Sequence, residues 1–172
     1  MPLPECLPPV SNGGMRHLVI SLLAVLALGC GRTVDLTKSV TIQDVGTGWY
    51  DAGNVDGKNK LVPSISFTVK NTSAEPIARV QLMAMFHQVG DEAGQWGEHY
   101  ISAIGGEALP AGATTKAFVL RSTLGNTGVQ ARQDLLKHPQ FVDATVTLFG
   151  KQGRGNWTKL GDYKIVRQLL AK

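Results

Sequence analysis

A chain of 172 residues with a formal net charge of +4 is long enough for one ordinary domain with a sizeable core. Its basic residues are scattered along the sequence rather than clustered, which does not suggest a nucleic-acid binder, and no nucleic-acid partner is expected. The two cysteines are Cys6 and Cys30, so the chain beyond Cys30 has neither a disulfide framework nor a thiolate zinc site and must hold together by burial.

Residues 1–14, MPLPECLPPVSNGG, are rich in proline and have no periodicity. They are expected to be an upstream extension ahead of a true start at Met15, which leaves Cys6 without a role in the mature protein. Arg16 and His17 then precede an apolar run from Leu18 to Leu28 that only Ser21 interrupts. As a helix this run spans ~16 Å, well short of the ~30 Å hydrocarbon core of a bilayer, and it fits the apolar block of a targeting segment. Its end, Leu26-Ala27-Leu28-Gly29-Cys30, resembles the lipobox of bacterial lipoproteins. That family usually has leucine three places before the cysteine, where this chain has Ala27, with Leu26 one place further out. The resemblance implies that residues 15–29 are a signal peptide and that Cys30 begins the mature chain as its lipidation site. Several acyl chains, at ~0.8 kcal/mol per buried methylene, then attach the protein to the membrane effectively for good. Gly31 stands where an aspartate would signal retention at the inner membrane, which by resemblance points to the outer membrane, with the domain facing the periplasm.

A tether over 30–36 leads into a domain expected over 37–172. Val34, Leu36, Val40 and Ile42 begin a half-buried strand. Gly46-Thr-Gly48 and the run DAGNVDGKNK over 51–60 are turn-forming. Residues 54–59 have the outline of a calcium loop but lack its acidic series and terminal glutamate, so a solvated hairpin turn is expected. Over Ser64–Lys70 every odd position is large and apolar and every even one polar, the period of a strand with one wet face. After the turn Asn71–Pro76, Val80–His87 forms a second strand, with Val80, Leu82, Ala84 and Phe86 inward. This pair of strands around an Asn-Thr-Ser turn resembles the immunoglobulin-like domains of bacterial surface lipoproteins, including the FxLYD type. Such a resemblance implies a binding or structural module rather than a catalyst, and it supplies no functional residues.

Further strands are expected over 98–104, 114–121, 142–149 and 157–166, the last with a break at Gly161. A short helix over 129–137 is stopped by Pro139. The expected fold class is therefore all-β: an immunoglobulin-like antiparallel sandwich of about seven strands with one short helix, preceded by the signal helix.

Met83, Met85 and His87 alternate along one strand and share the face opposite the inward set. Thioether and imidazole together suit Cu(I), although methionines also fill gaps on a partly covered face. His87 and His99 flank a segment with Asp91, Glu92 and Glu98, which a hairpin could bring toward a zinc arrangement. Trp96, in the glycine-flanked Gly94-Gln-Trp96-Gly97 at the expected hairpin tip, is the candidate anchor for a partner, or else folds back onto the sandwich. Lys151, Arg154, Trp157 and Lys159 mix basic and aromatic residues around a turn, with the tryptophan expected on the core. No motif of a hydrolase nucleophile, phosphate loop or zinc protease is present, and no catalytic residue or cofactor is expected. The expected function is a lipid-anchored envelope protein that binds an envelope partner or supports an assembly; the alternative is a periplasmic binder of a small ligand or copper.

Overall fold

The computed structural model describes residues 34–171. The expected upstream extension, signal peptide and lipidated Cys30 lie outside the described residues. The chain runs α1 (Leu36–Ser39), β1 (Val40–Val55), β2 (Lys58–Asn71), β3 (Val80–Gln88), β4 (Asp91–Ile104), β5 (Phe118–Arg121), β6 (Asn126–Gly128), α2 (Arg132–Lys137), β7 (Ala144–Gln152) and β8 (Thr158–Lys164). One antiparallel sheet has the order β1-β2-β5, with the short β6 also paired to β2; the other has the order β4-β3-β7-β8. With four antiparallel strands in each, the two sheets make an all-β sandwich, as the strand pattern predicts.

Alternation dictates the core. Ile65, Phe67 and Val69 of β2 are fully buried, as are Val80, Leu82, Ala84 and Phe86 of β3 and Val146 and Leu148 of β7. Each large side chain so removed from water contributes roughly 1.5–3 kcal/mol. The residues just before the first strand pack on the sandwich: the Val34 N–H donates to Gln152 Oε1 at 2.7 Å, and Leu36 is buried.

The glycine-rich stretch after residue 43 is strand rather than turn. β1 and β2 form one long hairpin whose ladder is interrupted between Gln43 and Gly46 and again between Asp51 and Asn54. Asp44 and Gly53, at those two interruptions, take positive φ values of 53° and 92°, which turn extra residues out and let pairing resume. The turn itself is Asp56-Gly57, both with positive φ, the pair a type I′ hairpin requires. β5 covers only the end of the expected strand, and the helix is shorter than expected, with Leu135 and Leu136 buried.

Both open sides of the sandwich are closed. After β8 the chain crosses to β1, where the Trp49 N–H donates to the Gln168 carbonyl at 2.8 Å and the Leu170 N–H to the Trp49 carbonyl at 2.9 Å. A Cβ at Gly48 would lie 2.7 Å from the Leu170 side chain, so any larger residue would have to displace that side chain. On the other side, His99 Nδ1 of β4 lies 3.1 Å from the Arg121 carbonyl oxygen and 3.2 Å from its N–H, and Ser122 Oγ donates to the Trp96 carbonyl at 2.5 Å. Arg167 fastens the loop before β7 to the tail through Asp143, at 2.6 and 2.9 Å.

Asn71 is the buried polar knot at the end where β2 leaves its sheet. Its Nδ2 donates to the carbonyls of Glu75, Leu109 and Pro110, and its Oδ1 accepts from the N–H and hydroxyl of Ser73. Asn71→Ala is expected to cost about 2–4 kcal/mol, because it strands several buried partners at once. Asn156→Ala, at the exposed second copy of the same Asn-x-Ser/Thr pattern, should stay within about 0.5 kcal/mol of wild type. Urea midpoints of the two variants check the contrast.

Candidate binding face on the four-stranded sheet

The two sheets differ in what their outer faces present. On β2 the outward positions are Ser64, Ser66, Thr68 and Lys70, and the three hydroxyls bond to the Leu120 carbonyl, the Gly46 carbonyl and the Asp44 carboxylate. Arg121 stacks on the Tyr50 ring at 3.6 Å and closes this face further. On the β4-β3-β7-β8 sheet the outward positions include large side chains. Register places Met83 of β3 between Tyr100 of β4 and Phe149 of β7, and Phe149 opposite Lys159 of β8. Trp157, just before β8, meets Tyr100 with ring centroids 5.9 Å apart, while Lys151 Nζ lies 4.6 Å over the Trp157 ring.

Tyr100 is 52% exposed, a large side chain left in water on a regular strand. Its hydroxyl is held above the usual phenol range, first by its hydrogen bond to Glu98 and then by desolvation and the Glu98 charge. Toward the other edge, Asp162 accepts from Lys159 Nζ at 2.5 Å and from Thr147 Oγ1 at 2.7 Å. These bonds hold its carboxyl below the usual range, with the Lys159 and His87 charges adding in the same direction. The face therefore combines an aromatic and thioether centre with carboxylates and ammonium groups at its rim, the composition of a contact surface.

Met83, Met85 and His87 share this outer face, but Met83 is only 6% exposed, and Met85 and His87 are half-buried. Side chains on alternate residues stand ~7 Å apart, so positions 83 and 87 are separated by ~13 Å and do not converge on one point. Among the described residues no group of three His, Cys, Asp or Glu side chains is arranged to hold a metal. His99 pairs with the inward-facing Ala84, so it points between the sheets while His87 points outward; the two histidines are on opposite faces of the sheet.

Of the two places expected for Trp96, it takes the one folded back onto the sandwich, not the exposed anchor. The β3–β4 turn is Val89-Gly90 rather than the segment around Trp96, and β4 begins at Asp91. The ladder shifts register between Phe86 and His87, opposite the Gly97 and Gln95 that flank Trp96. The indole turns inward, 8% exposed, edge-on to Trp49 at 5.9 Å. Trp157 is corrected in the opposite sense: expected on the core, it lies on the outer face. Tyr100 was legible only as a member of the strand over 98–104; the signal that could have singled it out is its place at an outward position in register with Met83.

No family model matches the chain, and no curated protein matches it. Among solved structures, an X-ray structure of the Northeast Structural Genomics Consortium target SoR45 has a TM-score of 0.44 at 12% identity, over 76% of this chain and 89% of that one. The Pseudomonas fluorescens alkylpurine DNA glycosylase AlkC, bound to DNA with an abasic site analog, has a TM-score of 0.39 at 16% identity. That match covers 91% of this chain but 38% of the glycosylase. The solution structure of AT1g01470 from Arabidopsis thaliana has a TM-score of 0.37 at 15% identity, over 78% and 83% of the two chains.

The pair at the rim has a defined pH dependence. The folded pKa of Asp162 is lowered, so its contribution is complete above the unfolded value near ~3.9 and is lost as pH falls through the lower folded value. Both side chains of the Lys159–Asp162 pair are half exposed, which limits the effect to less than about 1 kcal/mol. Asp162→Asn should lower the thermal midpoint slightly at pH 7 and leave it equal to wild type once both are measured well below pH ~3.9.

Proposed function

We propose that this chain is a lipid-anchored protein of the cell envelope that works by binding a protein partner or supporting an assembly, with the outer face of the β4-β3-β7-β8 sheet as its contact surface. The observation that carries the proposal is the exposed Tyr100 held against Trp157 and Lys151 on a rigid strand framework. Aromatic side chains fixed in this way give contact area at low entropic cost, and tyrosine, tryptophan and methionine are enriched at interfaces. The anchor half of the proposal is supported by the lipobox-like Leu26–Cys30 and by the short distance along the chain from Cys30 to Val34.

Two measurements test the two halves. Mass spectrometry of protein from membranes should find an acylated terminus at Cys30 that Cys30→Ser lacks; an unmodified chain removes the anchor. A photo-crosslinking phenylalanine analogue at Tyr100 should capture an envelope protein that the same probe at Val119, exposed on the other sheet, does not. Equal capture at the two positions removes the face. Truncating Tyr100 to alanine should weaken binding of a captured partner by roughly 30-fold, the size of a central aromatic contact.

A further inference from the structure

The two ends of the sandwich are electrically different. At the end where the described chain begins, residues 34–39, 70–79, 105–117 and 150–157 carry six basic and three acidic residues. At the opposite end, residues 51–60, 88–95, 122–143 and 164–171 carry six of each. The positive end is also a connected piece of structure. Gln152 receives the Val34 N–H, the Gly153 N–H donates to the Arg79 carbonyl at 2.8 Å, and the Arg79 N–H donates to the Gly105 carbonyl at 2.8 Å. Arg79 and Arg154 are exposed there, and among the described residues neither has a carboxylate within ion-pair distance. Lys38, in the first helix at the same end, is exposed and pairs with the exposed Asp35 at 3.7 Å.

Three residues separate Cys30 from Val34, so the covalent chain between them spans at most ~14 Å whatever path it takes. Resting on the anchor reading above, we infer that this end of the sandwich lies on the membrane surface and that Arg79, Arg154, Lys151 and Lys38 contact the headgroups of anionic phospholipids. An anchor this short holds the nearest end of the domain within reach of the lipid, and that end is the one with surplus positive charge. Each basic residue near an anionic surface changes the equilibrium roughly fivefold. Trp157, packed under Lys151 at the same end, is placed at the boundary where tryptophan is favoured between apolar and wet surroundings. Docking in this way leaves the face around Tyr100 standing out from the membrane along the strands, open to a partner.

The test uses the full chain incorporated into phosphatidylcholine vesicles with and without phosphatidylglycerol. Of the three tryptophans, Trp49 and Trp96 are buried and Trp157 is half-buried, so quenching of fluorescence by headgroup-labelled lipid reports on Trp157. Quenching should rise when phosphatidylglycerol is present and fall back with salt. The double variant Arg79→Gln with Arg154→Gln should weaken the docked state roughly 25-fold, whereas Lys58→Gln with Lys60→Gln at the other end should leave it unchanged. An acylated chain with no dependence on phosphatidylglycerol, or one equally sensitive to both double variants, overturns the inference while the anchor stands. An unacylated chain that still associates with phosphatidylglycerol vesicles through Arg79 and Arg154 supports the surface and removes the anchor. An unacylated chain that does not associate overturns both.

Discussion

Trp49, with no exposed surface, packs edge-on between Trp96 at 5.9 Å and Phe141 at 4.5 Å, and the two sheets meet through these rings. The three aromatics come from β1, from β4 and from the loop before β7, parts of the chain that share no local contact. Aromatic pairs at these angles add about 0.5–1.5 kcal/mol each beyond the area they bury. Without a disulfide beyond Cys30, this cluster and the alternating rows around it are what fasten sheet to sheet. It also accounts for the position of the C-terminal tail, which bonds to the Trp49 backbone on both sides and lies against Gly48. Arg167, from that tail, stacks 5.0 Å over Phe141 and completes the closure.

The two edges of the β4-β3-β7-β8 sheet are irregular. β4 is a long edge strand, and its ladder is broken at Trp96, where the indole leaves the outer row for the core. β8, at the other edge, has a register shift opposite Leu148 and Phe149 and carries Lys159 and Lys164. Irregular, charged edges discourage strand addition, so contact by this domain is expected through a face or an end rather than through an edge.

The outer faces then divide the labour. The β1-β2-β5 face satisfies its hydroxyls internally and stacks Arg121 on Tyr50, leaving little for a partner to recognise. The four-stranded face leaves Tyr100 in water, beside Trp157 and between the charged pair at Asp162 and the carboxylate of Glu98. A surface with an aromatic centre and a charged rim, set on strands whose core is closed on both sides, loses little entropy when it is covered. Trp157 and Lys151 stand where that face meets the positive end, so surface docking and partner binding adjoin at these two residues, while Tyr100 serves the second and Arg79 and Arg154 the first.

The strand pattern was legible in the sequence because burial on one face of a sheet imposes a period of two, which Ser64–Lys70 displays in full and Val80–His87 displays in its inward set. The inward set on β3, the stop at Pro139 and the Asp56-Gly57 turn follow from local chemistry in the same way. Glycine-rich residues 46–53 misled because glycine and aspartate signal turns and bulges alike; only pairing with β2 decides between them. Trp157 lies on the face opposite to the expected one, and Trp96 settles between its two expected places, for a related reason. A one-residue shift in register reverses the face a side chain occupies, and register depends on the partner strand, not on the residues beside the tryptophan. The sequence by itself determined the class of fold and the likeness of residues 26–30 to a lipidation signal. Which aromatic became core, which became surface, and which end gathered the unpaired arginines was decided by the tertiary structure, since each depends on contacts between segments far apart in the chain.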